Sequence, residues 1–405
     1  VGVATAIASG GPGAVFWMWA AGIVGMATKY AEIVLGIIYR EKSDDGTYVG
    51  GPMYYLSKGL GWKKIAVLFS IFMFLQISGG ALIQSNAVAI VIKDMFGIKP
   101  VFSGLMMAGI ITIVVIGGVR RLGKVAERII PVMTIMYFVG GLVIIISNFN
   151  HISYAIISII TSAFNTQAVG GGVLGYTIKE AMRFGVARGL YSNEAGEGSA
   201  PVLHSAAITD HPARQGLYGI LEVFIDTVVI CSLTAFIVLT SGVVEMEISP
   251  AVYVITAFGT IHYMFRYLIG ASMVLFAFST ILSQWYFGNV TLTYIFNSKV
   301  ASYFKYVFKF FISLSRNIPS LYMIEYTFPF SSSDIISSWR ASIYPLIMAI
   351  GVFNSCPIER IKSFSKFINF SFSFNLNHLI HLYYFLIFQT FSLNYFLEFP
   401  IHYYI

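Results

Sequence analysis

Gly10-Gly11-Pro12-Gly13-Ala14-Val15-Phe16-Trp17-Met18-Trp19 sets three glycines and a proline at the head of an apolar run that reaches Tyr39. A helix needs about 20 apolar residues to cross the hydrocarbon core of a bilayer, and this run supplies them. A Gly-Pro break beside such a helix is informative. Backbone released from its ladder at membrane depth must be satisfied by protein or by a water-filled cavity. A second break, Gly170-Gly171-Gly172 with Gly175, lies in a later apolar segment. Spans opening at Ala14, Ile65, Val101 and Ile129 separate the two. Interrupted segments in two halves of a chain point to a transporter's binding site. Close helix packing beside a loop is the plainer reading of the same glycines.

Composition places the whole chain in lipid. Of 405 residues, 57% are hydrophobic and 11% charged, whereas roughly a quarter are charged in soluble domains. Mean hydropathy is +0.78. Such a surface excludes most cytosolic enzymes, secreted disulfide scaffolds and disordered regulators. Cys231 and Cys356 make no disulfide framework. A formal net charge of +7 would suit nucleic acid in a soluble protein. In a membrane protein it reflects Lys and Arg gathered in cytoplasmic loops, so no nucleic-acid partner is expected. Residue 1 is Val, and the expectation is an N-terminally truncated chain.

The further spans expected are Ile65 to Ile92, Val101 to Val119, Ile129 to Ile178 (two spans turning near Asn148-Phe149-Asn150-His151), Gln215 to Gly242 and Tyr267 to Ser298. Continuous apolar runs without alternation favour helices over a barrel. Basic residues alternate between loops. Arg40, Lys42, Lys58, Lys63 and Lys64 fall in one; Arg120, Arg121, Lys124 and Arg128 in the next; Lys179, Arg183, Arg188 and Arg214 follow, then Lys299, Lys305 and Lys309. The intervening Asn148 to His151 and Val243 to Pro250 carry no Lys or Arg. The positive-inside rule makes the basic loops cytoplasmic in a multi-pass plasma-membrane protein.

Of 37 glycines, only Gly351 lies beyond Phe310. Small residues let membrane helices approach closely, so residues 1–310 read as a packed core. Residues 311–405 read as a divergent, frame-shifted or lipid-facing hydrophobic region, with spans near Ala341 to Val352 and Leu379 to Leu397.

The stretch from Gly10 to Trp19 resembles the signature of the sodium:alanine symporter family, the alanine or glycine:cation symporters. Similar to that family are also Gly25-Met26-Ala27-Thr28-Lys29-Tyr30-Ala31-Glu32, Gly50-Gly51-Pro52-Met53-Tyr54-Tyr55, Arg188 through Ser199, and Phe278-Ser279-Thr280-Ile281-Leu282. The likeness runs from about residue 1 to 310. It implies an all-α, leucine-transporter-like fold of two inverted five-helix repeats, with a partial first repeat and most of the second in residues 1–310. It also implies small neutral amino acids as substrate and Na⁺ as coupling ion. A Gly-Thr-Gly-Asn stretch that the family carries just upstream of Gly2 is missing. Where the family often reads Gly-Trp-Ser, this chain has Ser283-Gln284-Trp285, which displaces a substrate-site Trp by one position.

Na⁺ is a hard cation and takes oxygen ligands. Ser279 and Thr280 can supply hydroxyls, although membrane Ser and Thr commonly bond their own helix. The resemblance implies that both bind Na⁺, with Thr280 also beside the substrate. A substrate ammonium needs acceptors, and carbonyls freed near Gly170 and Gly171 would provide them. Gln84 lies mid-span, where an amide seeks a partner or a cavity; the resemblance favours it, with Ile83, as pocket-lining. Phe164 precedes the second break and reads either as core packing or as a wall that limits side-chain size.

Lys29 and Glu32 share a helix face at i, i+3 and read as a structural pair. Glu222 and Asp226 are spaced i, i+4. Counting from Arg214, Asp226 lies roughly 18 Å along its helix, at mid-membrane. Intramembrane carboxylates suggest coupling or gating, or a cation elsewhere in the fold. The polar run Ser192 to Gly198 reads as a gate or helix-linking turn, and His204 and His211 as solvated. An embedded enzyme is disfavoured, since Cys231 has no His on its turn and no metal-ligand spacing occurs. The expected function is therefore Na⁺-coupled symport of alanine or glycine by alternating access. A different solute or H⁺ on the same fold, or an inactive copy, are the alternatives.

Overall fold

A computed structural model describes residues 2–43, 46–116, 118–164 and 178–296. They belong to the first of two compact units, Val1–Arg340; the second is Ala341–Ile405. The glycine run at 170–172 and everything past residue 296 lie outside the described residues.

The described residues are helical almost throughout. Helix α1 spans Gly2–Gly10 and α2 spans Ala14–Ile38. A two-residue hairpin follows, β1 (Glu41–Lys42) against β2 (Tyr48–Val49). Then come α3 (Pro52–Gly59), α4 (Lys63–Phe96), α5 (Pro100–Ile116) and α6 (Gly118–Ser147). A 3₁₀ turn at Phe149–His151 leads into α7 (Ile152–Phe164), so the helix is broken where the sequence reading placed a turn. Beyond the second break lie α8 (Ile178–Asn193), α9 (Ser199–His204), α10 (Pro212–Val223), a π-helical stretch at Phe224–Ile230, and α11 (Cys231–Thr240). Short 3₁₀ turns then lead to α12 (Tyr253–Gly259) and α13 (Tyr263–Ile295).

Among the described residues, five helical segments are long and apolar enough to cross a membrane: Ala14–Ile38, Lys63–Phe96, Arg121–Ser147, Pro212–Thr240 and Tyr263–Ile295. The structure departs from expectation between α5 and α6. Instead of a basic loop there, α6 already runs from Gly118, so Arg121, Lys124 and Arg128 decorate its first turns. Arg, Lys, Leu and Glu are good helix formers, and long basic side chains keep their charged ends at the interface while their stems lie along the helix.

Helix α4 packs along α13, and α2 lies against α8 and α10. A continuous apolar core joins α1 (Val3, Ile7) to Met18 of α2, Tyr137 and Ile144 of α6, Ile237 and Val238 of α11, Phe258 of α12 and Ile269 of α13. The outward faces are just as apolar. Ile71, Phe72 and Leu75 on α4 and Ile135, Val139 and Ile146 on α6 are all exposed. Apolar residues covering both the inside and the outside of a bundle are what a lipid solvent selects.

Candidate functional site

Two polar regions interrupt this apolar matrix. The first forms around the Gly10–Gly13 turn. Gly11 has a left-handed backbone (φ 72°), and α2 restarts at Ala14. Gly13 lies so close to α7 that a Cβ there would sit 2.5 Å from Ala163 N and Ser162 C. Trp17 donates from Nε1 to Ala163 O at 3.1 Å. Phe164 is 53% exposed and meets Phe16 edge-on, ring centroids 4.8 Å apart. On the far side of the second break, a Cβ on Gly10 would meet Phe184 Cβ at 2.9 Å. The first interruption thus sits against both flanks of the second, while Gly170 and Gly171 themselves lie outside the described residues.

The middle of α4 and α13 is polar as well. A Cβ on Gly80 would run into the Gln284 amide, and one on Gly270 into the Met95 side chain. The helices therefore run antiparallel, and the pairing of 80 with 284 fixes their register. Gln84 and Thr280 each lie four residues from that crossing in the same direction, about 6 Å along, and so share a depth. The hydroxyls of Ser279 and Thr280 both donate to Phe276 O, at 2.8 and 3.0 Å. With their protons committed to the helix, these oxygens present only lone pairs to their surroundings. Nearby, Gln284 Oε1 and Trp285 Nε1 are buried without a hydrogen-bond partner among the described residues, and buried polar atoms are normally satisfied. Ile83 stands on the exposed side of α4.

The second region surrounds Lys29 and Glu32, 1% and 0% exposed. Lys29 Nζ donates to Asn193 O at 2.7 Å and pairs with Glu222 Oε1 at 3.3 Å. Glu32 accepts from the backbone N–H groups of Gly196 (3.0 Å) and Gly198 (3.1 Å). Glu222 Oε2 bonds His204 Nε2 at 3.2 Å, and His204 Nδ1 faces Gln215 Nε2 at 2.8 Å. An amide N–H directed at Nδ1 leaves the ring proton on Nε2, pointing at the carboxylate. Asp226 accepts from Ser192 Oγ at 3.0 Å and Thr227 Oγ1 at 3.1 Å. Asn193 Nδ2 donates to Thr227 Oγ1 at 3.1 Å. Burial, then the Glu197 charge, pushes the Glu194 carboxyl up to about 7.

Several sequence-level readings change here. The Lys29–Glu32 pair is the seed of a larger network, because Glu222 finds its cation on α2. His204 is not solvated: its side chain is 14% exposed and engaged on both nitrogens. His211 stays exposed and caps α10 by accepting Ala213 N–H. Gln76, Gln215 and Thr227 escaped notice, although a glutamine inside the apolar α4 run was a usable signal for Gln76.

The model of the sodium:alanine symporter family matches residues 1–366. The chain belongs to the sodium:alanine symporter family. That match passes residue 310, where the sequence reading placed its end. Among curated relatives, YflA of Bacillus subtilis, an uncharacterized transporter, is 41% identical over 76% of this chain and 66% of its own length. The sodium/alanine symporter AgcS of Methanococcus maripaludis is 40% identical over 74% and 67%. The amino-acid carrier protein AlsT of B. subtilis is 36% identical over 74% and 63%. The chain spans about two thirds of the length of these relatives. A manganese transporter from Eremococcus coleocola is a solved structure with a TM-score of 0.47 and 13% identity, covering 80% of this chain and 67% of that one. The symporter family is one of transporters, in keeping with five membrane-length helices among the described residues. These polar stretches coincide with those on which the family resemblance rests: Gly10–Trp19, Phe278–Leu282, Gly25–Glu32 and Arg188–Ser199.

Proposed function

We propose that this protein carries out sodium-coupled symport of a small neutral amino acid, alanine or glycine, by alternating access. The observation that carries the reading is the Ser279–Thr280 pair at the middle of α13, with both hydroxyl protons taken up by Phe276 O. Oxygens that offer only lone pairs are what Na⁺ requires. Gln84 stands at the same depth on α4 and lines the substrate side. Phe164 closes the pocket against bulk, and carbonyls at Gly170 and Gly171 receive the ammonium. The orphaned Gln284 and Trp285 atoms support a polar solute nearby. In this reading residues 1–310 form the core of a leucine-transporter-like five-plus-five repeat, and the basic loops face the cytoplasm. Asp226 and Glu222 act in gating rather than in binding.

Labelled-alanine uptake into proteoliposomes, with and without an inward Na⁺ gradient, tests this on the full-length protein. The gradient should drive accumulation. Thr280→Val, which loses one oxygen ligand at nearly constant volume, should lower uptake at limiting Na⁺ by about tenfold. Uptake indifferent to both Na⁺ and Thr280→Val would overturn the proposal.

A further inference from the structure

The loop between α8 and α9 grips membrane helices with its own backbone. Asn193 O holds the Lys29 ammonium, while the N–H groups of Gly196 and Gly198 close on the two oxygens of Glu32. Gly196 and Gly198 reach this shape at φ 91° and 82°. Glu194, at φ 53°, is the one non-glycine residue with positive φ among the described residues, and strain of this kind persists only where the surroundings enforce it. The same loop is fastened to α4, where Gln76 Nε2 donates to Glu197 Oε2 at 3.2 Å. It therefore ties α2 on one side to α4 on the other.

Glu194 sits at the centre of this tie. Its Oε2 accepts from Ser199 Oγ at 2.5 Å. Within the loop it faces Glu197; from α2 it faces Lys29, with Glu32 beyond; from α10 it faces Glu222, which is bonded in turn to His204 of α9. Lys29 is already shared between Glu222 and Asn193. An ionised Glu194 thus adds a negative charge beside Glu197 with little cation to spare.

We propose that the Asn193–Gly198 loop is a proton-operated clasp: Glu194 in its protonated form keeps α2 tied to α4, and loss of the proton repels Glu197 and releases its bond to Gln76. This deepens the transport reading, on which its consequence rests, because alternating access needs ties between helices that break and re-form. The sign follows from linkage. In the closed clasp the Glu194 carboxyl titrates at about 7, against 4.5 for the free group. The closed form binds more protons between those values, so closure is strongest below 4.5 and weakens as pH rises to 7. After allowance for solvent reaching a half-buried loop, the weakening should be about tenfold.

Hydrogen exchange of the full chain in lipid nanodiscs, without Na⁺ or amino acid, tests the clasp. Protection of the Gly196 and Gly198 amides, corrected for intrinsic exchange, should fall about tenfold between pH 5 and pH 8. In Glu194→Gln it should stay high and flat. In Glu197→Gln, which removes the repelling neighbour, the midpoint should move to lower pH. A native chain with flat protection, or a fall that persists in Glu194→Gln, overturns the proposal; should that variant not fold, an unmoved midpoint in Glu197→Gln does so. Because neither Na⁺ nor substrate is present, a negative result here leaves symport standing, and failed uptake leaves the clasp standing.

Discussion

Lys29 shows how one residue's worth depends on partners far off in sequence. An ammonium at 1% exposure on a membrane-length helix is costly unless paired. Its partners, Asn193 O and Glu222, come from α8 and α10. Replacing Lys29 with Met would leave the Glu222 carboxylate without its ammonium partner and two helices untied. The expected loss is about 2 to 3 kcal/mol, below the full value for a buried pair because Glu222 is partly solvated. Thermal unfolding in nanodiscs measures it, and adding Glu222→Gln should recover part. A Lys29→Met variant as stable as the native chain would show that the charge is not held as described. The i, i+3 spacing with Glu32 was legible in the sequence, but the distant partners were not. Spacing along one helix says nothing about residues more than 160 positions away, as the Lys29–Asn193 separation of 164 shows.

Elements meet where side chains permit, and glycine marks the tightest crossings. A Cβ on Gly13 would sit 2.5 Å from the backbone of Ser162 and Ala163, and backbone cannot rotate away as a side chain can. Gly13→Ala should push α2 off α7, strain the Trp17–Ala163 bond and cost about 1 to 3 kcal/mol. Gly109, inside α5, meets nothing within 4 Å. Gly109→Ala should therefore be neutral or stabilising by about 0.5 to 1 kcal/mol, through helix propensity alone. Parallel thermal scans of the two variants would check this, and equal effects would contradict the crossing. That a break lay at Gly10–Gly13 could be read directly, since Gly and Pro act locally. The π-helical stretch at Phe224–Ile230 could not. Apart from Asp226 and Thr227 its residues are ordinary apolar ones, and those two bond Ser192 and Asn193 across to α8.

At the scale of the molecule, the solvent is lipid, and the two sides of α4 should report it. Leu75 is 58% exposed and Ile77 2%. Spin labels at Leu75 and Phe72 should relax readily with membrane-dissolved oxygen, while one at Ile77 should stay shielded and disturb packing. Equal accessibility at Leu75 and Ile77 would refute the orientation of α4 against α13. Helical class and the family signature were decided by sequence alone. They depend on apolar length, on local glycine breaks and on loop charge, all of which add up along the chain. The sequence also marked Ser279, Thr280 and Gln84 as polar oddities in lipid. Only tertiary structure decided that Gln84 and Thr280 share one depth, that Glu222 answers Lys29, and that a glycine loop closes on Glu32. The reason is that hydropathy is a property of each residue by itself, whereas a charge in a low-dielectric bundle is tolerable only through the particular neighbours that packing brings to it.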